Sequence, residues 1–380
     1  MIKRIRRSLS SSSASLIAIL MGLLLGFIIL LISNPQNAIR GLSTILMGGF
    51  NNGMKGLGQV LYFATPIIMT GLSVGFAFKT GMFNIGASGQ LMVGGLASVW
   101  VGVTWTWLPQ EIHWVVALLA GMLAGMGWGV IVGVFRSFFN VNEVITSIML
   151  NYIALYSVNY LIKNSHLYDS LKNQTVDVTA SAVIPKAGLD QAFYVLKGRF
   201  LDASSVNAGI FIAIGFAILI YILLHRTTFG FEIKASGLNR QASLYAGISV
   251  KKSIISSMAI AGALSGIAGA LMYLAPPNGM HIHVAEVLAA QGFNGIAVAL
   301  LGMSNPIGII FSGLFIAHIT VGGSYLQSLK YMKEIIDVII GVIIYFSAFA
   351  LFVRDLLRKS AKVRGLASHE RESTVEREDE

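Results

Sequence analysis

The chain has 380 residues, of which 55% are hydrophobic and only 12% are charged, and its formal net charge is +10. A soluble domain carries roughly 25% charged residues, and about half that share cannot cover a surface that faces water. The composition therefore excludes an ordinary soluble protein and predicts an all-α polytopic membrane protein. The absence of cysteine excludes disulfides, thiolate metal ligands and a cysteine nucleophile.

Apolar runs of about 20 residues can cross a bilayer as helices, because a helix satisfies its own backbone hydrogen bonds. About ten such runs follow one another along this chain. The first is longer than the apolar core of a usual signal peptide and has no small-residue cleavage site after it, so it is predicted to be retained. The predicted spans are 16–32, 57–78, 86–104, 113–135, 144–162, 206–224, 253–275, 285–302, 306–321 and 334–353.

Two parts of this topology are irregular. The eighth and ninth spans are short and only GMSNP, at 302–306, separates them, so a re-entrant hairpin is an alternative to two full spans. Residues 36–55 are too polar and glycine-rich for a clean span, and they are expected to lie along the interface or to dip partway into the membrane. Two connections, 163–205 and 225–252, are longer than turns require.

Lysine and arginine are enriched in the cytoplasmic loops of membrane proteins, and this bias predicts orientation. With the N-terminus inside, sixteen of the basic residues up to position 364 are cytoplasmic and nine are external, whereas the opposite orientation inverts the ratio. Both termini are therefore predicted to be cytoplasmic, and the positive charge reflects topology rather than nucleic-acid binding. Residues 1–353 form one predicted transmembrane domain with an outside loop at 163–205, and the tail 354–380 is predicted to be disordered.

The inside loop 225–252 can form a short helix within NRQASLYAG. Asn239 can cap its start and Gly247 can end it, while Leu244 and Tyr245 would form an apolar knob. Two interpretations stay open on spacing alone: a helix that docks into a partner protein, or an amphipathic connector that lies on the membrane. The surface around the knob would be smooth because its residues are small: Ala242, Ala246 and Gly247.

The segment KTGMFNIGASGQ, at 79–90, interrupts an apolar region with glycines and two carboxamides. Asn84 and Gln90 offer donors and acceptors suited to hydroxyls or to a base edge, although an ordinary turn with Gln90 bonded to a neighbouring helix is the alternative. A second glycine-interrupted segment, AAQGFNGIAVALLG, carries Gln291 and Asn294. Because paired broken segments in the two halves of a transporter point to a central site, these carboxamides are candidates for a substrate path.

The fifth predicted span begins with VNEVITSIMLNYIALY. Asn142 and Glu143 are expected to cap its first turn, where a carboxylate meets the positive end of the helix dipole. Asn151 lies deeper in the span and is a further candidate for lining a path, since polar groups within a membrane usually face a cavity or a partner.

Catalytic and metal chemistry find little support in this sequence. A phosphate-binding G-x-x-x-x-G-K-[ST] loop is absent, as is a defensible Ser/His/Asp or paired-carboxylate constellation, so the chain is not predicted to be an enzyme. His281 and His283 supply two potential metal ligands at i and i+2, but no third ligand is evident and no metal site is assigned.

Four stretches of the chain, spread in the same order over about residues 57 to 350, resemble the inner-membrane permeases of bacterial ABC importers. The nearest branch is that for nucleosides, which is related to the permeases for ribose and other simple sugars. The four stretches are GFAFKTGMFNIGASGQLMVGG, NEVITSIMLNYI, GLNRQASLYAGISVKK and GFNGIAVALLGMSNPIG.

The resemblance implies a multi-pass protein of the bacterial cytoplasmic membrane that works by alternating access. A separate ATP-binding subunit would bind ATP and Mg²⁺, leaving this chain without a cofactor. A related second permease and an extracellular substrate-binding protein would be its other partners. In such permeases a cytoplasmic loop forms the coupling helix that docks on the ATPase, which here implies Gly237, Asn239, Ala242, Tyr245, Ala246 and Gly247.

A solute path lined by carboxamides, hydroxyls and small residues suits an uncharged polar solute. Nucleosides are the first expectation, and ribose, galactose or another simple sugar is the alternative. An ion-coupled secondary transporter would need carboxylates or a charged relay in mid-membrane, and the predicted spans offer none that convinces.

Overall fold

The computed structural model describes residues 20–197, 200–276 and 279–348. This part of the chain is mostly helical. Its α-helices are α1 (Leu20–Ser33), α2 (Ala38–Met47), α3 (Gly53–Lys79), α4 (Ala87–Thr104), α5 (Gln110–Phe138), α6 (Glu143–Lys163), α7 (Leu189–Ala192), α8 (Gly209–Arg226), α9 (Thr228–Leu238), α10 (Arg240–Tyr245), α11 (Val250–Tyr273), α12 (Ala290–Leu301), α13 (Pro306–Ser324) and α14 (Lys333–Ala348).

Short elements connect these helices. Three 3-10 helices cover Gly48–Asn52, Ala180–Ala182 and Tyr325–Leu329 within the described ranges. Two antiparallel hairpins lie in the connection between α6 and α8. They pair β1 (Tyr168–Asp169) with β2 (Gln174–Thr175), and β3 (Tyr194–Lys197) with β4 (Phe200–Ala203).

Seven helical segments of the described chain are long and apolar enough to cross a membrane. Each overlaps a predicted span, which supports a polytopic membrane protein. The predicted total of about ten and the cytoplasmic position of both termini stay predictions. The seven segments are Ala38–Lys79, Ala87–Thr104, Gln110–Phe138, Glu143–Lys163, Gly209–Arg226, Val250–Tyr273 and Pro306–Leu329.

The eighth predicted span, 285–302, is wrong as a full-length helix. The helix found there, α12, has only 12 residues, which is about 18 Å of helix against a hydrocarbon core of about 30 Å. Residues 285–289, at the start of the predicted span, are not helical. Just before them, Val284 N–H donates to the Asn173 carbonyl at 3.0 Å. With α13, α12 forms a helical hairpin, in which Ser312 Oγ donates to the Val298 carbonyl at 2.8 Å.

The two ends of the chain extend past the described part. The first predicted span, 16–32, is seen from Leu20 onward as α1, and the tenth, 334–353, is seen up to Ala348 as α14. The remainder of these spans and the tail 354–380 lie outside the described residues. Within residues 36–55, α2 and a 3-10 helix lead directly into α3, and their position along or partway into the membrane stays a prediction.

The centre of the molecule is a close packing of α4, α5 and α11. Glycines lie where these helices meet, because only glycine lets two helix backbones touch. A Cβ atom added at Gly125 would be 2.6 Å from the Cα of Gly266, and one at Gly133 would be 2.9 Å from the Cα of Ile255. Such distances leave no room for any side chain, so α5 and α11 are held in one register.

Asparagine side chains fix the starts of α6 and α13. The Oδ1 atoms of Asn142 and Asn305 accept the backbone N–H groups of Val144 at 2.8 Å and Ile307 at 3.0 Å, at the starts of α6 and α13. The predicted cap at Asn142 is therefore confirmed. These caps satisfy donors that helix geometry leaves without partners.

Candidate coupling surface and solute cavity

The short helix predicted in the long connection between α8 and α11 is present as α10. Asn239 caps it, because its Oδ1 accepts the N–H of Ala242 at 3.1 Å. Gly247 ends the turn that follows with a positive φ of 80°, a conformation that favours glycine. The sequence pattern thus identified both ends of this helix.

The outer surface of α10 is apolar and unusually open. Tyr245 is 93% exposed and Leu244 is 56% exposed, while Leu238, just before the helix, is 88% exposed. Ala242 and Ala246 are also exposed. A tyrosine that contacts so little of its own chain is available to fill a groove on another surface.

The inner side of this connection contacts the turn that opens the 79–90 segment. A Cβ atom added at Gly237 would be 2.8 Å from the carbonyl carbon of Thr80 and 2.9 Å from the backbone nitrogen of Gly81. Gly81 itself has a positive φ of 69°. The two backbones therefore touch directly, and the residues flanking α10 are joined to the segment that the sequence singled out on other grounds.

Asn84 and Gln90 are brought together in the core. Asn84 Nδ2 donates to Gln90 Oε1 at 2.9 Å, and Gln90 Nε2 donates back to Asn84 Oδ1 at 3.2 Å. Asn84 Nδ2 also reaches Ser73 Oγ at 2.9 Å, and Ser265 Oγ donates to the same hydroxyl at 2.9 Å. Both carboxamides are fully buried, so in this conformation they hold the break between α3 and α4 through mutual bonds.

Asn151 joins α6 to the same break. Its Oδ1 accepts the N–H of Gly89 at 2.8 Å, and its Nδ2 donates to the Ile85 carbonyl at 3.1 Å. A side chain that satisfies one backbone donor and one acceptor replaces the helical partners that the break removes. The assignment of Asn84, Gln90 and Asn151 to a substrate path stays a prediction, since all three are enclosed here.

The second glycine-interrupted segment lies against the first. Ser88 Oγ donates to the Ala289 carbonyl at 2.7 Å, and Thr70 Oγ1 donates to the Gln291 carbonyl at 2.9 Å. A Cβ atom added at Gly292 would be 2.6 Å from the Ser88 nitrogen. The start of α12 is therefore packed backbone to backbone on the start of α4. The side chains of Gln291 and Asn294 are half-buried.

A cavity of about 230 Å³ opens where α3, α11 and the start of α12 meet. Of the predicted path residues, Gln291 lines it. Pro66 lies within α3 on the same wall, and because proline has no N–H, the Tyr62 carbonyl lacks its helical donor there. The lining residues are Tyr62, Phe63, Pro66, Leu271, Met272, Tyr273, Gly279 and Gln291.

The cavity combines aromatic faces with few polar groups. Tyr62 and Phe63 meet edge to face, with ring centroids 5.3 Å apart, and Tyr62 Oη donates to the Ala275 carbonyl at 3.3 Å. All of the lining side chains are uncharged. This lining matches the usual chemistry of a small-molecule site, in which apolar and aromatic walls bind and a few polar groups orient.

A family model described as the branched-chain amino acid transport system permease component matches residues 56–348. That match covers more than half of the chain. The chain belongs to this permease family. It is accordingly a multi-pass membrane protein, and the resemblance inferred from the four sequence stretches is confirmed.

Individual permeases resemble most of the chain. A guanosine ABC transporter permease of Bacillus subtilis is 37% identical over 363 residues, 95% of this chain and 99% of that protein. A nucleoside ABC transporter permease of Lactococcus lactis is 35% identical over 354 residues, 92% of this chain and 94% of that protein. A glucose ABC transporter permease of Haloferax volcanii is 31% identical over 296 residues, 77% of this chain and 75% of that protein.

The aromatic cavity of this permease was not identified from the sequence. Its walls come from residues more than 200 positions apart, and tyrosine and phenylalanine within apolar helices look like ordinary core. Two local features of the sequence mark the position of this cavity. Pro66 stands alone inside an otherwise apolar helix, and Tyr62 and Phe63 are adjacent aromatic residues one turn before it.

Proposed function

We propose that the chain is the permease subunit of an ABC importer that moves nucleosides across the cytoplasmic membrane by alternating access. The observation that carries the proposal is the similarity of nearly the whole chain to permeases named for guanosine and for nucleosides. The exposed apolar surface of α10 supports it, because a permease moved by another subunit needs a surface for that subunit to grip. ATP and Mg²⁺ would be bound by that partner, and no cofactor is proposed for this chain.

The proposed assembly has two different permease chains, two ATP-binding subunits and an extracellular substrate-binding protein. Bacillus subtilis has two related guanosine permeases, which supports a heterodimer. The charge bias of the loops supports a cytoplasmic position for α10 and for both termini. Coupling is assigned to Gly237, Asn239, Ala242, Tyr245, Ala246 and Gly247, and this assignment follows from exposure, capping and the family pattern.

The cavity between α3, α11 and α12 is the proposed place where a nucleoside passes. A nucleobase has two aromatic faces that can stack on Phe63 or Tyr273, and its edge can bond to the Gln291 carboxamide. A sugar lacks such a face. The glucose permease of Haloferax volcanii makes a sugar the second candidate, while the three aromatic rings of the cavity favour the nucleoside.

The proposed function predicts a defined uptake phenotype. Cells that lack this gene should lose high-affinity uptake of radiolabelled guanosine and regain it when the gene is restored. Unlabelled nucleosides in about tenfold excess should compete, because they share the same aromatic and ribose groups. Competition by glucose or ribose but not by nucleosides would replace the nucleoside assignment with a sugar.

If the nucleoside passes through the cavity, removing an aromatic ring from its wall should lower the rate of nucleoside uptake. Base–aromatic stacking contributes about 1–3 kcal/mol per base, so Phe63→Ala should lower nucleoside uptake by roughly 5- to 150-fold. Uptake would be measured in proteoliposomes that hold the assembled importer, with saturating loaded binding protein, because the binding protein otherwise sets the apparent KM.

Phe63→Tyr and Phe211→Ala are the controls for this experiment. Phe63→Tyr keeps an aromatic face and should retain most of the rate. Phe211 is an exposed phenylalanine on α8, so its removal deletes a ring of the same size away from the cavity and should leave the rate unchanged. Equal rates for Phe63→Ala and the unmodified protein would exclude the cavity from the nucleoside path.

A further inference from the structure

A pair of histidines lies where the connection between α6 and α8 meets the connection between α11 and α12. The two stretches pair as extended chains. Thr175 N–H donates to the Ile282 carbonyl at 2.9 Å, and Val178 N–H donates to the Met280 carbonyl at 2.9 Å. Bonds on both sides of His281 and His283 therefore hold this segment in place, and residues i and i+2 of an extended chain point to the same side.

The imidazoles of these histidines face each other through one nitrogen of each ring. His281 Nε2 and His283 Nε2 are 3.3 Å apart, while the ring centroids are 4.7 Å apart. Because the nitrogens are nearer than the centroids, they are the adjoining corners of the two rings. On the far side of His281, its Nδ1 is 2.8 Å from Asp177 Oδ1.

Asp177 determines which nitrogen of His281 can act as a ligand. The Asp177 carboxylate accepts a hydrogen bond from the Nδ1–H group of His281. Nε2 is then the unprotonated nitrogen of His281, and it faces the Nε2 of His283, whose proton a metal would displace. This carboxylate–histidine arrangement is the usual outer contact of a metal-bound imidazole, where it fixes the tautomer and raises the basicity of the ligand. The sequence could not show it, because Asp177 is 104 positions away from His281.

The separation of the two nitrogens matches a metal chelate. Zinc–nitrogen bonds of about 2.0–2.1 Å at a tetrahedral angle place two ligand nitrogens about 3.3–3.4 Å apart. We propose that His281 and His283 form a binding site for a divalent transition metal of the zinc class, with Asp177 as the positioning residue. In the described part of the chain no third His, Cys, Asp or Glu completes the set, so water fills the other positions.

A metal bound at this site would restrict the motion of the neighbouring wall of the solute cavity. The histidine segment continues from Gly279, which lines the cavity, and it is bonded to the segment around Thr175. A bound metal would restrain the segment 281–283, and with it the adjoining wall residue Gly279. This consequence rests on the proposed function, but metal binding itself does not.

Binding would be measured on the purified full chain in detergent, carrying a tag without histidine. Cobalt(II) replaces zinc with the same ligands and absorbs visible light, so it reports histidine ligation directly. One cobalt per chain is expected, and zinc should displace it because the two ions use the same ligands.

Three variants distinguish metal binding at these two histidines from binding elsewhere on the chain. His283→Gln should abolish the cobalt spectrum, and Asp177→Asn should weaken binding by roughly 10- to 100-fold while keeping one metal per chain. His166→Gln is the matched control, since His166 is an exposed histidine of the same connection, and it should bind as the unmodified protein does. Absence of the spectrum in the unmodified protein, or its persistence in His283→Gln, would overturn the proposal.

Discussion

Tyr245→Asp is expected to abolish nucleoside uptake and to release the ATP-binding subunit during purification, with normal amounts of the permease in the membrane. The side chain is 93% exposed at the end of α10, so the substitution costs the fold of this chain almost nothing. In the assembly, however, it would place a charge in an apolar groove, and burying an unpaired charge costs several kcal/mol. Loss of at least about 100-fold in co-purified ATPase corresponds to about 2.7 kcal/mol or more.

A second exposed residue provides the control for this experiment. Leu171 is 96% exposed in the connection between α6 and α8, on the face predicted to be external, so Leu171→Asp introduces the same charge at a site that the ATPase cannot reach. It should retain uptake and assembly. Ala242→Glu, on the α10 surface, should behave like Tyr245→Asp. Full uptake and co-purification with both α10 variants would remove the coupling assignment.

Gly125→Leu is expected to eliminate the folded permease. An added Cβ atom there would be 2.6 Å from the Cα of Gly266 and would collide with the Gly262 carbonyl. Neither clash can be relieved by rotating a side chain, because both partners are backbone atoms of α11. Overpacking a core costs typically 1–3 kcal/mol even where side chains can adjust, and separating two helices would cost more. Monodisperse protein after detergent extraction would be quantified by fluorescence-detected size exclusion.

Gly127→Leu is the matched control on the same helix. It lies two residues from Gly125, yet an added Cβ atom there meets nothing within 4 Å. Helix propensity, hydrophobicity and volume change equally in both variants, so only the α5–α11 contact distinguishes them. Gly127→Leu should give a normal monodisperse peak. Similar yields for the two variants would show that the α5–α11 packing tolerates separation.

The sequence predicted most of the long helices because their lipid-facing composition is a local property. It also predicted the α10 helix, since an asparagine cap and a glycine stop act within a few residues. The span 285–302 was wrong at its start because hydropathy cannot distinguish a helix from a non-helical stretch that is bonded to a distant part of the chain. Ala285, its first residue, accepts a hydrogen bond from the side chain of Asn159, which lies 126 positions earlier.

The surroundings of the polar residues could not be predicted from the sequence. Asn84 and Gln90 are candidates for a substrate path, with a bonded turn as the alternative. In this conformation Asn84 bonds both Gln90 and Ser73. A carboxamide satisfies the same donors and acceptors whether its partner is a ligand or another carboxamide. Sequence spacing therefore predicts that such groups are buried and hydrogen-bonded, but it does not predict whether the partner is a ligand or another side chain.

The contact between Gly237 and the turn at Thr80 and Gly81 contains no side chain that could be compressed. Under the proposed coupling, a displacement of α10 would reach the junction of α3 and α4 through this backbone contact. The movement imposed by the ATP-binding subunit and the movement of the transmembrane helices would then occur together. A side chain introduced at Gly237 or Gly81 would separate the two backbones and weaken this coupling.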